Sequence, residues 1–156
     1  MSAALDDRTL RLSRIFDAPR ERVFAAWAEQ EQFMQWMCPP GVKIEQCEID
    51  VRPGGAWRIK GLNESGRGFA SSGKYLEVEH PVRLAFTWAH HADGDYAHPR
   101  GHETTVRIEF RAVGSKTELT LIHGPFADEP STKGHREGWT GSFDKLDALL
   151  GAPVGW

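Results

Sequence analysis

Seven histidines are spread over the 156 residues, and four of them, His90, His91, His98 and His102, fall in one segment with Asp93, Asp95, Tyr96 and Glu103. These are metal-ligand types, and a zinc site would need three or four of them at about 2.0–2.2 Å from one point. The segment reads as loop, so no helix sets two of its imidazoles on one face. The expectation is a solvated polar loop from His90 to Gly101, with neither a metal nor another cofactor. His123 differs. It follows Leu119 and Leu121 at a spacing of two and so shares their inner face. There it is either a satisfied core imidazole or a polar handle for a ligand's carbonyl or hydroxyl. Tyr75, in phase with Phe69 and Gly73, can enter the same interior, where its phenol would need a partner.

Other reactive groups carry plainer readings. Glu48, Asp50 and Arg52 alternate with Cys47, Ile49 and Val51, which makes an outer ion-pair row or a turn lock rather than a general acid/base pair. Ser71-Ser72-Gly73 lies within a strand pattern and lacks the Gly-x-Ser-x-Gly elbow of a nucleophile. Gly54-Gly55 joins two strand patterns, so it reads as a tight turn and not a phosphate cradle. Cys38 and Cys47 match no zinc or redox spacing, and the expectation is reduced thiols in a cytoplasmic protein.

The aromatic residues are the stronger signal. Of six tryptophans, Trp27, Trp36, Trp57, Trp88 and Trp139 fall one to an element, each able to face inward. Bulky rings converging from five elements suggest a curved sheet closed by a helix, with room left for an apolar or aromatic molecule.

The elements that must position these groups follow from periodicity. Thr9 to Phe16 alternates as a strand. Pro19 at a helix start, with Asp17 upstream as a cap, opens a helix carrying Val23, Phe24 and Trp27. A second short helix, about Glu29 to Met37, carries Phe33 and Trp36 and stops at Pro39-Pro40. The period then becomes two. Strands are expected at Val42–Val51, Ala56–Leu62, Phe69–Val78, Val82–Ala89, Thr104–Ala112 and Lys116–His123, with short connections that imply an antiparallel meander. A loop with two prolines, Gly124 to Lys133, precedes a last helix from Thr132 to Leu150, whose stripe is Trp139, Phe143, Leu146 and Leu150. Gly138 and Gly141 within it suggest close approach to the sheet or to a ligand.

Composition narrows the function. The net charge of −3 gives no basic surface for nucleic acid or anionic membrane. No apolar run nears the roughly 20 residues of a membrane helix, and Met1 to Asp7 lacks a signal-peptide pattern. A single domain over 1–156 is expected.

Four segments carry a family resemblance in this order: Phe16-Asp17-Ala18-Pro19 with Val23-Phe24 and Trp27; Cys47 to Trp57, including Asp50-Val51-Arg52-Pro53-Gly54-Gly55; Arg83-Leu84-Ala85-Phe86-Thr87-Trp88; and Gly134-His135 with Gly138-Trp139, Phe143 and Leu146. Over about residues 8–151 the chain resembles the bacterial proteins grouped with the C-terminal domain of the activator of Hsp90 ATPase. That family belongs to the START-like (SRPBCC, helix-grip) superfamily. The resemblance implies an α+β helix-grip fold: a curved six- or seven-stranded antiparallel sheet around a long C-terminal helix, two short helices after the first strand, and a cavity between. The superfamily includes lipid carriers, hormone receptors, polyketide cyclases and ring-hydroxylase subunits, so fold does not fix function. Many relatives have Trp-Trp-Gly-Pro where this chain reads Trp36-Met37-Cys38-Pro39, a change that suggests a different pocket entrance.

The leading expectation is binding of a small hydrophobic or aromatic molecule between sheet and helix. Its walls are drawn from Trp27, Phe33, Trp36, Trp57, Phe69, Tyr75, Trp88, Ile108, Leu121, Trp139 and Phe143, with His123 as polar anchor. A chaperone-interacting module and a cyclase- or hydrolase-type enzyme using His123 or the polar loop are the alternatives. No nucleic acid and no membrane insertion are expected; a chaperone contact and a homodimer stay open.

Overall fold

The computed structural model describes residues 7–38, 41–91 and 100–151. The chain runs β1 (Leu10–Phe16), α1 (Arg20–Ala28), α2 (Gln30–Trp36), β2 (Lys43–Ile49), β3 (Ala56–Leu62), β4 (Gly68–Glu79), β5 (Arg83–His90), β6 (Thr104–Val113), β7 (Lys116–Gly124) and α3 (Glu129–Gly151). All seven strands form one antiparallel sheet in the order β1-β7-β6-β5-β4-β3-β2, so β1 and β2 lie at its two margins. The sheet curls around α3, which gives the α+β helix-grip arrangement.

Local chemistry sets the connections. At the β2–β3 turn Gly54 has φ +83°, and a Cβ on Gly55 would stand 1.9 Å from the Asp50 carbonyl oxygen, so the Gly-Gly pair is required there. Arg52 closes the turn by bonding Asp50 at 2.8 Å, and Arg58 bonds Glu48 at 2.8 Å, which places that charge row on the outer face. No side chain caps α1; the Pro19 carbonyl instead accepts the N–H groups of Arg22 and Val23, so Asp17 does not serve as the cap.

Several boundaries shift by one to three residues from the sequence reading, and two of the shifts bear on the site. Helix α3 begins at Glu129, three residues before Thr132, because Asp128 accepts the Ser131 N–H at 2.9 Å and Pro130 sits in the first turn, where no N–H is needed. Strand β5 continues through His90, which pairs with Ser71 across the ladder. His90 therefore belongs to the Leu84, Phe86, Trp88 alternation rather than to the loop.

The core is an aromatic chain. The rings of Trp36 and Trp27 lie 4.5 Å apart, Trp27 and Trp139 5.8 Å, Trp139 and Trp88 5.7 Å, and Trp88 and Trp57 4.9 Å. Each such contact contributes about 0.5–1.5 kcal/mol beyond area burial. Below it, Leu84, Ile108 and Leu121 stand opposite one another across β5, β6 and β7 and are fully buried. Helix α3 buries Trp139, Phe143, Leu146 and Leu150, and its main contacts are with β1, α1 and α2. It grips one side of the sheet and stands off from β4 and β5.

Candidate functional site

The stand-off between α3 and the β4–β5 half of the sheet leaves an open pocket of about 410 Å³. Strand β4 supplies Phe69 and Ser71, β5 supplies Trp88 and His90, and the connection after α2 supplies Met37, Cys38 and Val42. From α3 come Ser131, Gly134, His135, Gly138, Trp139 and Ser142, spaced by three and four so that they share one helical face. Gly134 and Gly138 are not points of contact with the sheet, since a Cβ at either would meet nothing within 4 Å. A smaller void of about 110 Å³ adjoins the first and shares Trp88, His90, Ser131 and His135 with it. Gly141, the other helix glycine singled out by the sequence, is not part of the wall of either void.

Polar groups collect where the two voids meet. Nε2 of His90 lies 3.0 Å from Nε2 of His135. His135 Nδ1 contacts the Ser131 carbonyl at 2.8 Å, and a carbonyl can only accept, so Nδ1 carries the hydrogen. The proton between the rings then belongs to His90 Nε2, and His90 Nδ1 accepts from the Ser71 hydroxyl at 2.8 Å. Phe126 stacks on His135 with ring centres 4.5 Å apart and fixes its plane. Surrounding protein lowers the pKa of His90 to about 4, with repulsion from His135 and His91 adding to it. His135 is also lowered by burial, against the opposing pull of the Ser131 carbonyl. Both rings are neutral at pH 7.

His123 lies behind this wall with no exposed surface. Its Nδ1 accepts from the Trp139 indole N–H at 2.9 Å, and its Nε2 lies 2.7 Å from the Thr104 hydroxyl, which donates in turn to the Trp88 carbonyl at 3.2 Å. Burial pushes its pKa well below the ordinary value, so it too is neutral.

Of the residues singled out by sequence, Phe69, Trp88 and Trp139 face the cavity. Trp27, Phe33, Trp36, Trp57, Tyr75, Ile108, Leu121, His123 and Phe143 stand behind them in the core. The Trp36 indole bonds the Ala26 carbonyl at 2.8 Å and the Trp57 indole the Thr87 carbonyl at 2.9 Å; those of Trp27 and Trp88 have no partner among the described residues. The sequence reading missed His90 and His135 as a pair, yet both signals were present: His90 is two residues past Trp88 on one strand, and His135 is one helical turn before Trp139.

Residues 92–99 of the polar loop lie outside the described residues. Among the described residues, no three His, Cys, Asp or Glu side chains come together as metal ligands, and no helix is long and apolar enough to cross a membrane. Cys38 and Cys47 are unpaired thiols, with pKa values raised by burial to about 12 and about 11.

Comparison with known proteins agrees with this architecture. Residues 17–151 match the family described as Activator of Hsp90 ATPase homolog 1-like protein. A crystal structure of an AHSA1 protein from Silicibacter pomeroyi is 32% identical, with 91% of this chain and 96% of that one covered and a TM-score of 0.81. A protein of Chromobacterium violaceum is 26% identical, with 95% and 100% covered and a TM-score of 0.81. One of Nitrosomonas europaea is 27% identical, with 92% and 94% covered and a TM-score of 0.76. No curated protein matches the chain. A match across most of the sequence, together with the gripped helix and the seven-stranded sheet, places this chain in the Activator of Hsp90 ATPase homolog 1-like family.

Proposed function

We propose that this protein binds a small apolar or aromatic molecule between α3 and the β4–β5 half of the sheet, acting in the cytoplasm as its unpaired thiols suggest. Phe69, Trp88, Trp139, Met37 and Val42 form the apolar wall, and Ser71, His90, Ser131 and His135 form the polar end. Trp27, Phe33, Trp36, Trp57, Tyr75, Ile108, Leu121, His123 and Phe143 back that wall and hold its shape. The driving force is apolar surface leaving water, about 25 cal/mol per Å² before the costs of association.

One observation carries this reading: the volume of about 410 Å³ is faced by two helix positions, Gly134 and Gly138, at which any side chain would intrude. Small-molecule sites have volumes of about 300–1,000 Å³, with apolar walls and a few placed polar groups. A glycine in a helix costs about 1 kcal/mol against alanine, so two on the cavity face sacrifice stability for open space.

Titration with lipids, polyphenols and hydrophobic acids, followed by tryptophan fluorescence, tests it. Binding should perturb Trp88 and Trp139 and be abolished by Gly138→Phe, which fills the cavity. A flat response across the panel, or the same response in Gly138→Phe, overturns the reading.

The family description favours a second reading, a module that contacts a chaperone. Such a module needs a continuous exposed apolar patch of several hundred Å². Among the described residues the large exposed hydrophobics are Ile15, Leu76 and Val113, on β1, β4 and β6, no two of which are neighbouring strands. Ligand binding has the better support.

A further inference from the structure

Most polar groups on the pocket wall are committed within the protein. His90 and His135 satisfy each other at 3.0 Å, and their outer nitrogens are held by the Ser71 hydroxyl and the Ser131 carbonyl. The Ser131 hydroxyl helps to hold the Asp128 carboxylate. Asn63 Oδ1 accepts the N–H groups of Ser65 and Arg67, which leaves its amide N–H groups on a half-buried turn. The Trp88 indole N–H has no partner among the described residues, but it is sealed from solvent. Ser142 differs from all of these. It lines the pocket and is only 2% exposed. Thr132 and Thr140 on the same helix turn their hydroxyls back to the carbonyls four residues earlier, at 3.0 and 2.8 Å. The Ser142 hydroxyl makes no such bond, and it has no other partner among the described residues. The buried polar atoms closed off without a partner there are the indole nitrogens of Trp27 and Trp88, so the Ser142 oxygen is open to the pocket.

We infer that the ligand is uncharged and carries an oxygen function, a carbonyl or a hydroxyl, that bonds the Ser142 hydroxyl. This rests on the binding reading above. The apolar body lies over Gly134 and Gly138, against Phe69, Trp88 and Trp139. Gly138 is one helical turn before Ser142 and Gly134 two turns before it, so the open stretch of the helix face leads directly to the free hydroxyl. A serine hydroxyl both donates and accepts, so either oxygen function suits it.

Charge is excluded by what the wall lacks. Among the described residues no Asp, Glu, Lys or Arg lines the pocket. A charged group taken out of water without a partner is far costlier than a hydroxyl or carbonyl that finds one. Lys145, one turn beyond Ser142, donates to the Cys38 carbonyl at 3.2 Å and stands behind the wall. That bond brings Cys38 to the Ser142 end of the pocket, where burial raises the thiol to about 12 and keeps it uncharged. Position 142 also gains nothing from its hydroxyl in the free protein. Alanine suits a helix better than serine, and no hydrogen bond is formed to offset the difference. The hydroxyl is therefore of use to whatever enters the pocket.

The test uses four probes of one shape: 2-acetylnaphthalene, 1-(2-naphthyl)ethanol, 2-isopropylnaphthalene and 2-naphthoic acid. Each is titrated at pH 7 into the protein and into Ser142→Ala, with binding read from amide shifts by NMR. The acid is then a carboxylate, and it should bind at least about tenfold more weakly than the ketone. Ser142→Ala should weaken the ketone, the alcohol or both by about fivefold or more and leave the hydrocarbon within about twofold. A loss that includes the ketone marks Ser142 as the donor, and a loss confined to the alcohol marks it as the acceptor. The variant should melt no lower than the unaltered protein, since it gives up no internal bond. A lower melting temperature places the hydroxyl in a bond within the protein and overturns the inference. So does a carboxylate that binds as tightly as the ketone, or a ketone and alcohol both indifferent to Ser142→Ala; these outcomes leave the binding reading intact. Binding of none of the four overturns both.

Discussion

The indole N–H of Trp139 donates to Nδ1 of His123 at 2.9 Å, and this bond ties the cavity wall on α3 to the inner face of β7. Trp139→Phe keeps an aromatic ring but leaves a fully buried nitrogen without its donor. The expected cost is about 1–3 kcal/mol from that loss alone. Trp88→Phe removes an N–H that has no partner among the described residues, so it should cost less. Urea denaturation of both variants checks the order, and equal midpoints would contradict it.

The buried imidazoles make the fold sensitive to acid. An unfolded histidine takes a proton near pH 6.5, whereas His123 resists protonation well below its ordinary pKa and His90 does so down to about 4. Between those values the unfolded chain binds more protons, so stability is greatest above pH 6.5 and falls as the pH drops. Each fully buried group of this kind contributes up to about 1.4 kcal/mol per pH unit; His90, exposed on one side, contributes less. Urea midpoints at pH 7, 6 and 5 should decline steadily, and a flat profile would remove the basis for neutral rings in the core.

Gly138 should separate stability from binding. Gly138→Ala places a methyl in open space within a helix, so the protein should gain about 1 kcal/mol, read as a higher melting temperature. The same change narrows the cavity slightly. A loss of stability would mean that the helix face meets a neighbour there.

Cys38 has φ +83°, a backbone conformation that costs an L residue about 1–2 kcal/mol. Cys38→Gly relieves that strain, less about 0.4–1 kcal/mol of extra freedom in the unfolded chain. The net expectation is a gain of about 0.5–1 kcal/mol in chemical denaturation. A clear loss would show that the thiol's packing at the cavity outweighs the backbone strain.

Gly73 leaves no such room. A Cβ there would stand 1.8 Å from the Thr87 carbonyl oxygen and 2.6 Å from Nε1 of Trp57. Gly73→Ala should break the Trp57–Thr87 bond and cost more than about 3 kcal/mol. Wild-type stability would refute the close approach of β4 to β5.

Alternation and helical spacing made most of the architecture legible, because each records only which way a side chain faces. Leu84, Phe86 and Trp88 announce an inner face, as do Trp139, Phe143 and Leu146. What they do not record is depth. Trp27 and Trp88 both face inward and both meet other rings, yet only Trp88 also borders the pocket. That difference is set by where α3 lands on the sheet, which depends on its contacts with β1 and α2 rather than on local sequence. The histidine pair was hidden for a related reason. The run of polar residues after Trp88 suggested that the strand had ended, which left His90 in the loop, while His135 was already inside the expected helix but had no partner assigned to it. Pairing with Ser71 carries the strand one residue further and brings His90 to the inner face opposite α3.

The margins of the sheet have a consequence for solubility. An open strand edge is a template on which other chains can add and aggregate. At β1 the Arg136 guanidinium takes the Arg11 carbonyl at 3.1 Å, and Arg14 is held by Asp144 at 2.9 Å, so α3 guards that border. At β2 the exposed side chains include Lys43, Glu45 and Glu48, which repel an incoming strand. Neither flank of the sheet is thus left open to amyloid-like stacking.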